Sequence, residues 1–189
     1  SLALIVSLPI TIATAIAIKL EDGGPVIYKS ERIGQYGKKF YIYKFRSMKQ
    51  NADKLEDMLT PEELARYYKE FKLDNDPRIT KVGHFIRRHS IDELPQFFNI
   101  LKGDMALIGP RPLIAKEVEV NYPEKKDLLL SLKPGLTGYW QAYARNNVGY
   151  ENGERQKMEL YYIEHACWKM DVKIVWRTAK VVLTGDGAQ

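Results

Sequence analysis

The chain has 189 residues, enough for one domain with its own hydrophobic core, and its 28% charged and 45% hydrophobic residues are ordinary for a globular protein. A formal charge of +5 suits an anionic partner: nucleic acid, a phosphorylated small molecule or an acidic membrane face. The single cysteine, Cys167, excludes an intrachain disulfide, and His84, His89 and His165 lack the spacing of a zinc site.

Residues 1–18, SLALIVSLPITIATAIAI, carry no charge. A straight helix of that length would run about 27 Å, near the thickness of a hydrocarbon core. No basic start marks it as a secretory signal, and the chain begins abruptly inside the apolar run, as a piece of a longer protein would. Pro9, close to Ser7, removes a helical hydrogen bond and crowds the preceding turn. Three readings follow: a kinked helix that enters and leaves a membrane by one face, a spanning helix with a tolerated proline, and a buried core helix. Lys19, Glu21 and Asp22 mark the exit into water.

Gly23, Gly24 and Pro25 end that helix. Residues 26–33 and 39–45 are rich in β-branched and aromatic residues and read as two strands of a hairpin, with a turn at 35–38. Residues 50–59 are polar and read as helical. Thr60, Pro61 and Glu63 supply the N-cap, first-turn proline and capping-box glutamate of a helix running to about Lys72. Asn75, Asp76 and Pro77 make a turn, Val82, Phe85 and Ile86 share one helical face, and a short helix is expected after Ser90. Residues 109–112 and 133–135 are rigid, extended or turning. Residues 118–132 read as mostly helical with a break near Pro123, and residues 154–166 and 171–183 as helices. In the last, Val172, Val175, Ala179 and Val182 share a side, while Lys173, Arg177 and Lys180 fit either a helix on a membrane surface or a core helix with a solvated basic side. Cys167, beside Trp168, is expected to be packed. The fold class is α/β and mostly helical, with one β-hairpin and a membrane-embedded start.

Residues 87–96, RRHSIDELPQ, set two adjacent carboxylates beside two arginines. Asp92 can serve as a nucleophile toward phosphorus or hold Mg²⁺, and the arginines can clamp phosphate oxygens. A structural account competes: Ser90 and Glu93 form a capping-box pattern, or Asp92 itself is an N-cap. Either would place the carboxylate at the positive end of a helix, which favours its ionised form. Arg32, Lys44, Arg46, Arg111 and Arg145 lie in or beside glycine- or proline-marked loops, and Arg111 is fixed between Pro110 and Pro112. Trp140 and Tyr143 are read as packing residues, with base stacking as the alternative.

Four segments resemble the bacterial sugar transferase family, the monotopic phosphoglycosyl transferases: residues 24–34, 43–48, 76–112 and 133–147. The ending KVVLTGDGA is similar to the branch that starts O-antigen and capsule chains with galactose 1-phosphate. The resemblance implies a re-entrant membrane helix over residues 1–20, broken at Ser7 and Pro9. It implies a catalytic domain over residues 21–189 on the cytoplasmic face of the bacterial inner membrane, with interfacial amphipathic helices. It also implies a ping-pong reaction in which Asp92 attacks the β-phosphate of a UDP-sugar, UMP leaves, and undecaprenyl phosphate takes the sugar phosphate. Glu93 matches the partner of Asp92, and Mg²⁺ is the implied cofactor, with Asp92 among its ligands. Arg111 matches a phosphate-binding arginine; Lys44, Arg87, Arg145, Arg32 and Glu159 fall at donor-site positions. A homodimer is implied by the large members.

Ser30, Ala144 and Glu159 depart from the family's usual glutamine, glycine and aspartate, the last two bearing on the nucleotide pocket. Residues 147–155 match least. A nucleic-acid module, the rival suggested by charge, lacks a helix-turn-helix, zinc-finger or stacking signature, so no nucleic-acid partner is expected. An inactive membrane scaffold is the other rival, and the intact Asp92–Glu93 pair argues against it.

Overall fold

A computed structural model describes residues 2–71, 73, 75–144 and 148–184, with side chains from residue 7 to residue 182. Of the expected features, Arg145, Lys72 and the ending beyond residue 184 lie outside the described residues. The chain divides into two compact units: one holds residues up to Tyr28 with Tyr43–Pro95, the other Lys29–Ile42 with the chain from Gln96.

The first unit opens with α1 (Leu2–Asp22), one helix that runs through Pro9, so the break expected at Ser7 and Pro9 does not interrupt it. Ser7 and Thr14 are buried, and Ile18 packs with Phe45 and Ile86 in a small core that Val82, Ile91 and Leu94 complete. Leu8, Ile10, Ile12, Ile16 and Leu20 are exposed. Among the described residues, no helix is long and apolar enough to cross a membrane.

β1 (Ile27–Ile33) and β2 (Lys39–Phe45) pair as expected, joined by a 3-10 turn, Gln35–Gly37. At the base of the hairpin the buried Arg46 clamps the end of α1: its guanidinium binds both Asp22 oxygens and donates to Pro25 O at 2.6 Å and Met48 O at 3.1 Å. Arg46 is therefore a structural residue, and its charge holds the Asp22 carboxyl below the usual range.

Only α2 (Leu55–Met58) of the helix expected over 50–59 forms; Asn51, with φ of 61°, turns the chain first. α3 (Pro61–Glu70) starts on the expected capping box, with Thr60 N–H to Glu63 at 2.8 Å and Glu63 N–H to Thr60 at 3.3 Å. The Asp76–Arg78 pair is buried. Burial alone would push Asp76 up, but Arg78, at 2.8 and 2.6 Å, and its backbone N–H hold it below the usual carboxylate value.

α4 (Lys81–Arg88) is capped by Thr80 and by Glu21, which accepts from Val82 N–H at 3.1 Å. Ile86 is buried but Phe85 is exposed, so the expected three-residue apolar face is really two. Gly83 explains how close α4 comes to the chain after β2: a Cβ there would stand 2.0 Å from Ser47 O.

The second unit holds α5 (Gln96–Leu101), β3 (Ala106–Ile108), α6 (Ala115–Asn121), α7 (Lys126–Leu129), β4 (Gly135–Thr137), α8 (Tyr139–Ala144), α9 (Glu154–His165) and α10 (Trp168–Thr184). The break between α6 and α7 contains Pro123, as expected. β3 and β4 form a parallel pair that the sequence did not announce, because three-residue strands carry no periodicity. α10 buries Ile174 completely and hydrogen-bonds Thr178 to Thr137 at 2.7 Å. Its Trp168, Val172, Val175, Trp176 and Val182 remain exposed, so the apolar side read from sequence faces outward. Cys167 is exposed as well, against the expectation that it packs.

Candidate active site

In the first unit, the chain leaves α4 through Ser90, whose φ of 52° is left-handed, and enters a single 3-10 turn, Ile91–Glu93. The Ser90 side chain does not cap this turn, and no α-helix begins at Asp92. Both capping accounts of the pair are thereby corrected, and with them the expected help from a helix end. The acidic pair is held instead by Ile91 and Leu94, which pack on the core of Ile18, Phe45 and Ile86 on either side of it.

Asp92 is 6% exposed and Glu93 half-buried. β2 points Lys44 at them: its Nζ lies 3.0 Å from Glu93 Oε1 and 3.9 Å from Asp92 Oδ2, with 24% of the side chain exposed. An ammonium held this close to the pair has further N–H groups to offer an anionic ligand. Arg87, in the last turn of α4, is half-buried, and its charge is felt at Asp76.

Two adjacent carboxylates are hard oxygen donors of the kind Mg²⁺ takes. No group of three or more His, Cys, Asp or Glu side chains forms a metal site among the described residues. The donor set therefore fits a Mg²⁺ held by one or two carboxylates and otherwise by substrate phosphate and water.

In the second unit, Arg111 sits where the β3–β4 pair runs out into a loop. Gly109 N–H donates to Thr137 O at 3.0 Å and Gly135 N–H to Pro110 O at 2.8 Å. Those contacts need bare glycine backbone: a Cβ on Gly135 would lie 2.1 Å from Gly109 N. Arg111 is half-buried, and its guanidinium lies 5.8 Å from the Trp140 ring centre.

Beneath it lies a charged cluster that spacing alone did not reveal. Glu159, on α9, is 2% exposed and accepts the Arg111 backbone N–H at 3.4 and 3.3 Å. Burial pushes its carboxyl up to about 7 against the pull of Arg155 and Arg111. Arg155, one helical turn earlier, is held between the rings of Trp140 (4.1 Å) and Tyr150 (3.9 Å). It also faces Glu117 at 3.9 Å. Glu159, expected among the donor-site residues, is thus enclosed under the loop. Arg32 is half-buried on β1, its Nη1 donating to Glu31 O at 3.4 Å. The packing role read for Trp140 holds, since it is buried.

The bacterial sugar transferase family model matches residues 1–185, and the chain belongs to that family. It is 49% identical over 88% of its length to the undecaprenyl-phosphate galactose phosphotransferase of Salmonella typhimurium, covering 35% of that protein. It is 47% identical over 89% of its length to the galactosyl transferase CpsE of Streptococcus agalactiae, covering 37%. A shorter relative, the exopolysaccharide production protein ExoY of Sinorhizobium fredii, is 37% identical over 99% of the chain, and the chain covers 83% of it. The chain thus spans little more than a third of the length of the first two.

Proposed function

We propose that this chain is the catalytic part of a phosphoglycosyl transferase that moves a sugar 1-phosphate, galactose 1-phosphate first among candidates, from a UDP-sugar to undecaprenyl phosphate. The observation that carries the reading is the buried Asp92 beside Glu93 with Lys44 Nζ at 3.9 and 3.0 Å, in a unit whose first helix exposes an apolar side. The names of relatives supply the substrates: undecaprenyl phosphate with galactose in one, a UDP-galactose-lipid carrier transferase in another, and an N-acetylgalactosamine phosphotransferase in a third.

In the first step an Asp92 carboxylate oxygen attacks the β-phosphorus of the donor. The bond from that phosphorus to the bridging oxygen breaks, and UMP leaves with the bond electrons. In the second step a phosphate oxygen of undecaprenyl phosphate attacks the same phosphorus and expels the Asp92 carboxylate. Lys44 meets donor phosphate charge; Glu93 orients Lys44 and stands ready to manage the proton of the acceptor phosphate. Arg87, Arg111, Arg32 and Arg145 supply further positive charge for the donor. Mg²⁺, held by Asp92 and substrate oxygens, would offset the charge that develops on the departing UMP.

The membrane placement belongs to the same proposal. α1 embeds from one face, around Ser7 and Pro9, on the cytoplasmic side of the inner membrane, and the exposed side of α10 lies in the headgroup layer with its lysines toward lipid phosphates. A homodimer is compatible with this placement. The test is UMP release with undecaprenyl phosphate and Mg²⁺ across UDP-galactose, UDP-glucose, UDP-N-acetylglucosamine and UDP-N-acetylgalactosamine. UDP-galactose should react fastest, chelation of Mg²⁺ should stop turnover, and labelled sugar phosphate should be trapped on Asp92. Labelling of another residue would overturn the nucleophile assignment.

A further inference from the structure

The cluster under the Arg111 loop contains more charge than packing needs. Burying a carboxylate in the middle of a helix is costly unless it holds something in place. Glu159 directs both oxygens at one backbone N–H, that of Arg111. That N–H is the sole amide hydrogen of the Pro110–Arg111–Pro112 stretch, because proline has none. Glu159 therefore grips the loop at the one point where a hydrogen-bond acceptor can hold it.

We propose that Glu159 is a positioning residue: its buried carboxylate, balanced by Arg155, fixes the Pro110–Arg111–Pro112 loop so that the Arg111 guanidinium is presented to the phosphate of the donor. The proposal rests on the transferase reading for the identity of that phosphate. Arg155 is the natural counter-charge. It is 4% exposed, lies between two aromatic faces, and shares its charge between Glu159 and Glu117. Glu117 is engaged elsewhere, accepting from Tyr150 Oη at 3.2 Å and Ile114 N–H at 3.3 Å.

The grip is strongest when Glu159 is ionised, because a carboxylate accepts more strongly than a carboxylic acid. The groups that face it are Arg155 on its own helix, the Arg111 loop, Glu117 on α6 and Tyr122 just after α6. Two of these are cations and one is an acid, and enclosure works against the charged form. Acidification through neutrality should therefore loosen the loop.

The test compares the wild-type chain with Glu159→Gln, Glu159→Asp, Arg111→Ala and the Arg111→Ala/Glu159→Gln pair. KM for UDP-galactose is measured from pH 5.5 to 8.5. In the wild type, KM should rise on acidification. Glu159→Gln should raise KM at pH 8 by about fivefold to tenfold, change kcat less than about twofold, and flatten the pH profile. Glu159→Asp should restore the pH dependence. In the Arg111→Ala background the glutamine substitution should add nothing to KM. Hydrogen exchange of the Arg111 amide should quicken at least about tenfold in Glu159→Gln at pH 8. Unchanged exchange, or a KM effect that adds in full to that of Arg111→Ala, overturns the proposal. Absence of UMP release from every donor would sink the transferase reading, and the exchange measurement would then decide the role of Glu159 by itself.

Discussion

Asp92 and Glu159 are both buried carboxylates with a cation nearby, and they stand in opposite settings. Asp92 stands on one 3-10 turn, next to a second acid and opposite Lys44, whose side chain is 24% exposed. Glu159 stands inside a twelve-residue helix, 2% exposed, between a caged arginine and a backbone amide. A carboxylate on a short turn beside a partly exposed lysine can be reached by a ligand. A carboxylate sealed in a helix can only hold its neighbours. The contrast teaches that burial by itself does not mark a reacting group; what matters is whether the partner of the acid can be reached from outside.

The sharpest way to break this comparison is Asp92→Asn. It should cut UMP release by at least about a thousandfold while leaving the thermal melt in place. Retained turnover would reduce Asp92 to a structural acid like Glu159. Next comes Lys44→Ala, expected to lower kcat/KM about a hundredfold, with the loss shared between donor binding and chemistry.

The third difference is read in stability. Glu159 has a folded-state value of about 7 against an ordinary 4.5, so the folded protein binds its proton more tightly than the unfolded chain does. Stability is fullest below the unfolded value, falls as pH rises through the window between the two, and is flat above it. Glu159→Gln should remove this fall, so that the variant gains a few kcal/mol relative to wild type between pH 5 and pH 8 in denaturant unfolding. A pH-independent difference would mean that the acid is ionised throughout. The smallest effect is expected from Trp176→Ser on α10, where Trp176 is 76% exposed: about tenfold weaker binding to anionic vesicles, with soluble-phase unfolding unchanged.

Much of this was legible in the sequence because it rests on local rules. The hairpin of β1 and β2, the Thr60–Glu63 cap and the break at Pro123 depend on neighbouring residues alone, and all appear in the structure. Lys44, Asp92 and Glu93 were singled out from pattern and resemblance. Their grouping depends on α4 meeting the chain after β2, which no local rule supplies. The capping reading of Ser90 failed because the left-handed Ser90 turns the chain into a 3-10 turn before any α-helix starts. Arg155 and Glu159 do show the spacing of one helical turn. That they are buried under Arg111, with Glu117 alongside, is set by packing between distant segments. Phe85, placed on an apolar face by helical spacing, and Cys167, read as packed beside Trp168, both lie outward.

The tight fit at Gly83 gives the first unit a built-in spacer. The atoms that a side chain at that position would strike are backbone atoms of Ser47, which cannot swing aside as a long side chain would. Even one added methyl group would act as a shim between α4 and the strand end, and the shift would pass along a rigid helix to the turn that follows it. A methyl group at position 83 should therefore be felt at the acid pair and its lysine without altering a single charge.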